Sequence, residues 1–265
     1  MSPLRIDVHA HLWTAQYLDR LERLGKADTG TQRGIGADAT EADLERRFAL
    51  MDRAGIDLQV LSVAPQSPHL ARESDAVAVA RTANEAYAEL VARHPGRFRA
   101  FAALPLPHVD AALREIAHAF DDLGAVGAGV TTTVLGRTLD DPLFRPVYEE
   151  LDRRGAVLSI HPAGEGAGSP LITEHGMTWM VGAPVEDTVA LMHLILAGIP
   201  ARHPGMRMLD GEVFLRAVDY VRDAGLTREE AAMILDTNAA GLLGLADTAQ
   251  TGQGRYSRPS SRSTA

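Results

Sequence analysis

Hydrophobic positions along the chain fall into short continuous runs that alternate with longer stretches of helical spacing. Six runs rich in branched or small apolar residues predict strands, at residues 4–9, 57–63, 97–104, 126–132, 156–160 and 206–209. Continuous rather than alternating apolar character is typical of strands buried on both faces, as in a parallel sheet. The pattern therefore predicts an α/β chain with a parallel sheet and crossover helices.

Helices are predicted between the strands, where apolar residues recur at intervals of three or four. Their ranges are 40–55, 74–93, 108–123, 141–154 and 184–198. Thr40 with Asp43 three residues later is typical of a helix start, and Gly55 of a helix end. After Asp210 only helical patterns follow, at residues 213–224, 227–238 and 240–245.

The number of predicted strands limits the architecture. A chain of 265 residues suits one (β/α) barrel domain, but a closed barrel of this type needs eight strands and only six are predicted. We predict an incomplete TIM-barrel-like fold of about six parallel strands in one domain, residues 1–245. Residues 246–265 are polar and predict a disordered tail. The first and sixth strands would either bend together and pair with each other or leave their edges unpaired, and unpaired edges would be covered by the helices of residues 213–245 or by a second copy, as in a homodimer.

The amino-acid composition limits the kinds of partner that the protein is expected to bind. The net charge of −9 and the isoelectric point near 5.5 argue against nucleic acid and anionic membranes as partners. The absence of cysteine excludes disulfides, thiolate metal sites and cysteine nucleophiles. No leader-like segment opens the chain, and no apolar run reaches the length of a membrane span. We expect a soluble, cytoplasmic protein that acts on a small molecule.

Two histidines close the first predicted strand. Residues two apart in a strand point to the same face, so His9 and His11 would aim both imidazoles at one place. Neutral imidazole nitrogens suit a borderline cation such as Zn²⁺. The same spacing also arises by accident on half-exposed strands, and that reading stays open. His161 ends the fifth predicted strand, which is where barrel proteins place their sites.

Five stretches of the chain carry a resemblance to a known family. They are residues 6–11 (IDVHAH), 51–57 (MDRAGID), 94–98 (HPGRF), 103–106 (ALPL) and 238–244 (NAAGLLG). Together they resemble the amidohydrolase superfamily, and within it the branch related to aminocarboxymuconate semialdehyde decarboxylase. The likeness extends over about residues 4–209 and 213–245.

The resemblance implies a distorted (β/α)₈ barrel that binds one divalent metal ion. His9, His11 and His161 match three of the family's four ligands, and Zn²⁺ is the first choice of ion, with Mn²⁺ second. The fourth ligand is an Asp on strand eight. Asp210, the first carboxylate after the last predicted strand, is the candidate for this ligand and for a catalytic role. The family's strand-six His-Gly-Gly stretch and its strand-eight Gly-[ST]-Asp-Tyr-Pro segment have no match in this chain.

The resemblance also suggests a substrate contact. Arg47 borders the apolar stripe of the 40–55 helix, whereas Arg46 falls opposite it. Arg47 matches an arginine that holds a substrate carboxylate in this branch, a task that suits a planar bidentate donor, and its alternative is an ordinary salt bridge at the rim. Trp13 and Trp179 are each a candidate for packing or for a substrate platform.

The remaining histidines are weighed by position. His175 lies in a Gly-rich loop from which it would reach the barrel mouth, and His193 is expected in the core. No chemistry is expected of the histidines at loops, caps or helix surfaces, which are His69, His94, His108, His118 and His203.

We therefore predict a metal-dependent decarboxylase, a carbon–carbon lyase, of a small aromatic or unsaturated carboxylic acid. The alternatives are a metal-dependent hydrolase of an amide, ester or lactone, and a catalytically impaired relic that binds a ligand or partner.

Overall fold

The structure is a computed structural model, and it describes residues 4–26, 29–165, 168–209 and 226–244. Three predictions lie outside these residues: the role of Asp210, the helix at 213–224 and the disordered tail at 246–265.

A single curled sheet of parallel strands runs through the described part of the chain. Its strands, in spatial order, are β1 (Ile6–His11), β2 (Leu58–Ser62), β3 (Phe98–Ala103), β4 (Gly127–Thr131), β7 (Val157–His161) and β8 (Arg207–Leu209). Each strand pairs in parallel with its neighbour, as the continuous apolar runs predict. A small antiparallel hairpin, β5 (Thr133–Val134) and β6 (Arg137–Thr138), follows β4 and was not predicted.

The helices occupy the connections between strands. They are α1 (Ala15–Arg23), α2 (Glu41–Ala54), α3 (Glu73–Arg93), α4 (Val109–Ala117), α5 (Arg145–Arg153), α6 (Pro170–Thr173), α7 (Ala183–Leu196), α8 (Ile199–Arg202), α9 (Arg228–Ala232) and α10 (Asn238–Leu242). The predicted ends of α2 are confirmed, because the Thr40 hydroxyl accepts from the Asp43 amide and Gly55 takes the left-handed conformation at φ 71°. Helix α1 was not predicted, although the Thr14 side chain caps it in the same way.

The incomplete barrel is confirmed for the described residues, where the sheet has six strands with β1 and β8 at its edges. The C-terminal helix α10 lies across the opening. Leu243 packs with Ile6 of β1 in a buried cluster, and the Arg207 guanidinium of β8 donates to the Gly241 carbonyl oxygen at 3.0 Å. Helix α10 therefore contacts both edge strands, in agreement with the cover predicted for the C-terminal helices.

A bulge in β1 sets the direction of its histidines. Asp7 pairs with Gln59 and Ala10 with Leu61. Between these two pairs β1 therefore contains one residue more than β2, which is a β-bulge. Val8 therefore packs into the cluster under α10, while Ala10 packs on the opposite face against the helices. We call the first of these the inner face of the sheet.

Gly127 of β4 marks a point where the inner face tolerates no side chain. A Cβ atom there would lie 2.7 Å from the Val157 carbonyl oxygen and 2.9 Å from Phe101 Cδ1. Gly127→Ala is therefore expected to lower the free energy of unfolding by about 1–3 kcal/mol, measured by urea denaturation. Gly96→Ala is the control, because no atom lies within 4 Å of its added Cβ. Equal stability of the two variants would contradict this packing.

Candidate metal centre

Three histidines converge at the carboxyl end of the sheet. The Nε2 atom of His11 lies 2.9 Å from Nε2 of His9 and 3.2 Å from Nε2 of His161. Two nitrogens bound to one ion at about 2.05 Å lie roughly 2.9–3.3 Å apart for bond angles between 90° and the tetrahedral value. The three imidazoles therefore have the spacing of ligands to a single small cation. The predicted convergence of His9 and His11 on one point is confirmed, and His161 joins them.

The curl of the sheet creates this convergence. Strands β1 and β7 are four places apart in the strand order, which in a flat sheet would separate them by about 19 Å. The contact between His11 and His161 therefore requires the barrel-like closure of the sheet. His11 and His161 are the last residues of their strands, where His11 pairs with Ser62 of β2 and His161 with Thr131 of β4.

Backbone carbonyls orient two of the rings. The Nδ1 atom of His161 lies 2.8 Å from the Pro162 carbonyl oxygen, and Nδ1 of His11 lies 3.4 Å from the carbonyl oxygen of Ser62. A carbonyl oxygen only accepts, so Nδ1 carries the proton in both rings and Nε2 presents a lone pair. Lone pairs this close repel one another unless a cation lies between them. The donor set thus fits a divalent metal ion held by neutral imidazoles.

Burial and neighbouring imidazoles keep His11 and His161 unprotonated near neutral pH. Burial, followed by the proximity of His161, holds the pKa of His11 well below its usual value. Burial, followed by the proximity of His9, lowers the pKa of His161 to about 4. Metal binding requires neutral imidazole, so near pH 7 these two rings bind an ion without first losing a proton.

Trp13 packs against one of the three histidines. Its ring stacks on His11 with centroids 5.2 Å apart and an interplanar angle of 12°, and its indole N–H donates to the Val63 carbonyl oxygen at 2.7 Å. Only 5% of Trp13 is exposed, so it offers little surface to a substrate. These contacts favour packing for Trp13 over the substrate-binding role that the sequence suggested.

Trp179 lies closer to an open approach. Its ring centroid is 6.4 Å from that of His161, and 43% of the residue is exposed. Gly164 makes room for it, because a Cβ atom at Gly164 would lie 2.6 Å from the indole. Of the two tryptophans, Trp179 is the better placed to contact a substrate.

Arg47 reaches from α2 to the end of β1. Its Nη2 donates to the His11 carbonyl oxygen at 2.6 Å, and its Nη1 donates to Gln59 Oε1 at 2.9 Å. Gln59 in turn donates to Asp7 at 2.8 Å. Among the described residues no carboxylate lies within 4.0 Å of Arg47, which argues against the rim salt bridge, whereas Arg46 pairs with Asp43 on the surface. Arg47 thus brings a positive charge next to the metal centre without a direct ion pair, and the carboxylates of Asp7 and Asp43 act on it from a longer distance.

Two histidines outside the cluster are more exposed than the sequence suggested. His193 was expected in the core, but 40% of its side chain is exposed and Nδ1 lies 3.2 Å from Asp140. That expectation is wrong, because α7 turns Ala183, Ala190 and Leu194 towards the core instead. His175, expected to reach the barrel mouth, is exposed.

His69, of which no chemistry is expected from the sequence, is a buried histidine in the structure. It is buried in the loop after β2, and its Nδ1 lies 3.2 Å from the hydroxyl of Thr131, the β4 residue that pairs with His161. Since that hydroxyl donates to the Thr133 carbonyl oxygen, Nδ1 of His69 carries its proton. Nε2 is then a buried acceptor with no hydrogen-bond partner among the described residues. A signal was present in the sequence, because loops that follow parallel strands line the sites of barrels.

Comparison with known proteins identifies the family. The model of the family described as Amidohydrolase matches residues 6–211, more than half of the chain. The chain belongs to this family. The match includes His9, His11 and His161.

Curated relatives are decarboxylases. The chain is 28% identical over 223 residues to 2-amino-3-carboxymuconate-6-semialdehyde decarboxylase from Dictyostelium discoideum, covering 77% of this chain and 61% of the relative. It is 33% identical over 181 residues to gamma-resorcylate decarboxylase from Rhodococcus jostii, covering 63% of this chain and 55% of that protein. The chain thus spans about 55–61% of the length of these relatives.

Solved structures share the fold. A 2,6-dihydroxybenzoate decarboxylase in complex with 2,6-dihydroxybenzoate superposes with a TM-score of 0.75 at 21% identity, covering 92% of this chain and 100% of that chain. A dihydroxybenzoic acid decarboxylase from Polaromonas, with bound manganese and 2-nitroresorcinol, gives a TM-score of 0.66 at 24% identity, covering 85% of this chain and 71% of that chain.

Proposed function

We propose that this protein is a metal-dependent decarboxylase of a small aromatic or unsaturated carboxylic acid. The observation that carries the proposal is the convergence of the Nε2 atoms of His9, His11 and His161 on one point. The decarboxylases among its relatives favour loss of CO₂ over hydrolysis of an amide, ester or lactone. The substrate is proposed to be a hydroxybenzoate or a muconate-type acid.

The bound ion would supply Lewis-acid stabilisation to a substrate oxygen and to the negative charge left when CO₂ departs. Zn²⁺ is proposed first because three neutral imidazoles suit a borderline cation, and Mn²⁺ second because manganese is bound in the Polaromonas enzyme. His9, His11 and His161 would hold the ion, and Asp210 is proposed as a further ligand and catalytic group.

The residues around the centre have separate tasks in this proposal. Arg47 attracts and orients the substrate carboxylate, because no carboxylate in the described part of the chain forms a direct ion pair with it. Trp179 provides an aromatic surface beside His161.

Arg47→Lys is expected to lower kcat/KM for the acid by at least about tenfold, roughly 1.4 kcal/mol. A lysine ammonium cannot maintain the contacts to His11 and Gln59 and also present a planar donor to a carboxylate. Steady-state kinetics on the metal-loaded protein provide the measurement, and Arg46→Lys on the exposed face of α2 is the matched control. An unchanged kcat/KM for Arg47→Lys would show that this arginine has a structural role and does not bind the substrate.

The proposed function is tested in two steps. Metal content of the purified protein is measured by inductively coupled plasma mass spectrometry, and one divalent ion per chain is expected. Loss of the ultraviolet absorbance of 2,6-dihydroxybenzoate, 6-methylsalicylate and an aminocarboxymuconate semialdehyde is then followed together with CO₂ release, with a His9→Ala/His11→Ala variant as the blank. Release of CO₂ from one of these acids supports the proposal.

Two other outcomes would overturn it. Turnover of amide, ester or lactone substrates without CO₂ release would favour the hydrolase. Stoichiometric metal with no turnover of either class would favour a relic that binds ligands without catalysis.

A further inference from the structure

One helical run carries two side chains to the loop that follows β7. The turn Thr178–Gly182 leads directly into α7, so residues 178–196 form one run. Trp179 and Glu186 are seven residues apart on it, which is about two helical turns, and they therefore share one side of the run. Both side chains contact Gly164, the third residue after His161.

Glu186 ties this loop to the end of β4. Its Oε2 atom accepts from the Gly164 amide at 3.1 Å and from the Thr132 hydroxyl at 3.2 Å. The same hydroxyl accepts from the Ala163 amide at 3.0 Å, and the Thr132 amide donates to the His161 carbonyl oxygen at 2.8 Å. One carboxylate and one threonine therefore bind the backbone of three of the four residues from 161 to 164.

Gly164 leaves space for the indole of Trp179. Its φ of 84° lies in the left-handed region, and a Cβ atom there would lie 2.6 Å and 2.8 Å from two atoms of the indole. The indole therefore packs directly on the backbone of the glycine, with its ring centroid 6.4 Å from that of His161. The place of Trp179 beside the metal centre thus depends on the contacts that hold Gly164.

The rest of the run is held mainly by apolar packing. Residues 178–196 are long and apolar enough to span a membrane by length and composition alone, contrary to the expectation that no such stretch exists. Their buried side belongs to the protein, because Leu194 lies in the large cluster between the sheet and its helices. Apolar packing is not directional, whereas hydrogen bonds are. The hydrogen bonds of Glu186 therefore set the position of Gly164 relative to the run.

We propose that Glu186 is a positioning residue, which holds Gly164 and through it places Trp179 against the substrate. Glu186 acts only as the acceptor of two hydrogen bonds and exchanges no proton with the substrate. An indole that is held in place before binding loses less freedom when the substrate arrives, which favours affinity. The proposal rests on the proposed function for the contact between Trp179 and the substrate, but the placement of Trp179 is measured without a substrate.

The fluorescence of Trp179 tests this placement directly. The chain has two tryptophans, so Trp13→Phe leaves Trp179 as the sole indole. In this background Glu186→Ala is expected to raise the acrylamide quenching constant, up to about twofold as the 43% exposed residue becomes fully accessible. Glu186→Gln should keep the parent value, because its amide oxygen accepts the same two hydrogen bonds. Glu174→Ala, which removes an exposed carboxylate of the preceding segment, is the matched control. Unchanged quenching in Glu186→Ala would overturn the proposal.

A second pair of variants reaches the same contact without removing the carboxylate. In the Trp13→Phe background, Gly164→Ala would bring a Cβ atom to 2.6 Å from the indole and should raise the quenching of Trp179 in the same way. Gly176→Ala is the matched control, because its φ of 67° imposes a similar backbone strain while no atom lies within 4 Å of the added Cβ. Circular dichroism verifies that each variant is folded. Equal quenching in the two alanine variants would contradict the support of Trp179 by Gly164.

Steady-state kinetics on the metal-loaded protein separate positioning from direct catalysis. For an acid that the protein decarboxylates, Glu186→Ala is expected to raise KM about three- to tenfold and to change kcat less, as for the loss of one aromatic contact. Glu186→Gln should restore the wild-type KM and kcat. A low kcat of Glu186→Gln with unchanged quenching would make Glu186 a catalytic residue and contradict the proposal.

The two experiments distinguish failure of this proposal from failure of the proposed function. If the protein decarboxylates none of the acids, the quenching constants of the Glu186 and Gly164 variants still decide whether Glu186 places Trp179. If decarboxylation is found and Glu186→Ala changes neither KM nor quenching, the proposed function stands and the positioning role is wrong.

Discussion

Replacement of both His9 and His11 by alanine is expected to abolish stoichiometric metal binding. The two residues supply two of the three nitrogen ligands that converge in the structure, so affinity should fall by at least about a thousandfold, roughly 4 kcal/mol. Competition with a chromophoric chelator measures the affinity, and elemental analysis measures the content. Decarboxylation, if it depends on this ion, should disappear in the same variant.

A matched control removes two other histidines. His175→Ala/His193→Ala takes away one exposed and one partly exposed imidazole outside the cluster, and it should leave metal content unchanged. Retention of one tightly held ion by the His9→Ala/His11→Ala protein would show that the centre lies elsewhere in the chain.

Acidification is expected to destabilise the metal-free protein through His161. Burial lowers the pKa of His161 to about 4 in the folded state, whereas the unfolded value is about 6.5. The neutral ring therefore contributes stability above pH 6.5, and this contribution is lost as the pH falls towards 4, because the unfolded chain takes up the proton first. The loss amounts to roughly 3 kcal/mol, and His11 acts in the same direction.

Urea denaturation of the chelator-treated protein between pH 7 and pH 4 provides the measurement. His161→Gln has no ionisable group at this position, so its free energy of unfolding should decrease less over the same range, and the difference between the two proteins isolates the histidine. Parallel pH profiles for the wild type and His161→Gln would contradict the burial of a neutral imidazole. Added metal should steepen the wild-type profile further, because bound metal stabilises only the neutral form.

The incomplete barrel bears directly on the proposed activity. The three histidines come from β1 and β7, both within the six-stranded sheet, so the metal centre does not depend on further strands. The family's strand-six His-Gly-Gly stretch and its strand-eight Gly-[ST]-Asp-Tyr-Pro segment have no match in this chain, and Asp210 is only proposed in place of the strand-eight Asp. We therefore expect weak turnover compared with the relatives, with metal binding retained.

The sequence by itself determined the six parallel strands and the longer helices between them, and it singled out His9, His11 and His161. Local rules were sufficient for the strands, because continuous apolar runs mark strands buried on both faces. They were also sufficient for the ends of α2, where Thr40 and Gly55 supply the caps. The pairing of His9 with His11 followed from the two-residue period of a strand, and His161 from its position at a strand end.

Only the tertiary structure decided which distant groups meet. The curl of the sheet brings His161 to His11 across four strand positions, and the bulge in β1 keeps His9 on the inner face despite Val8 before it. The packing of α7 exposes His193, and the loop after β2 buries His69 beside Thr131. These outcomes depend on contacts between residues that are far apart in the chain. The spacing of apolar residues within one helix or strand does not show which of these contacts are favourable. A local pattern specifies which side of an element is apolar, but the neighbour that covers that side is set by the packing of the whole domain.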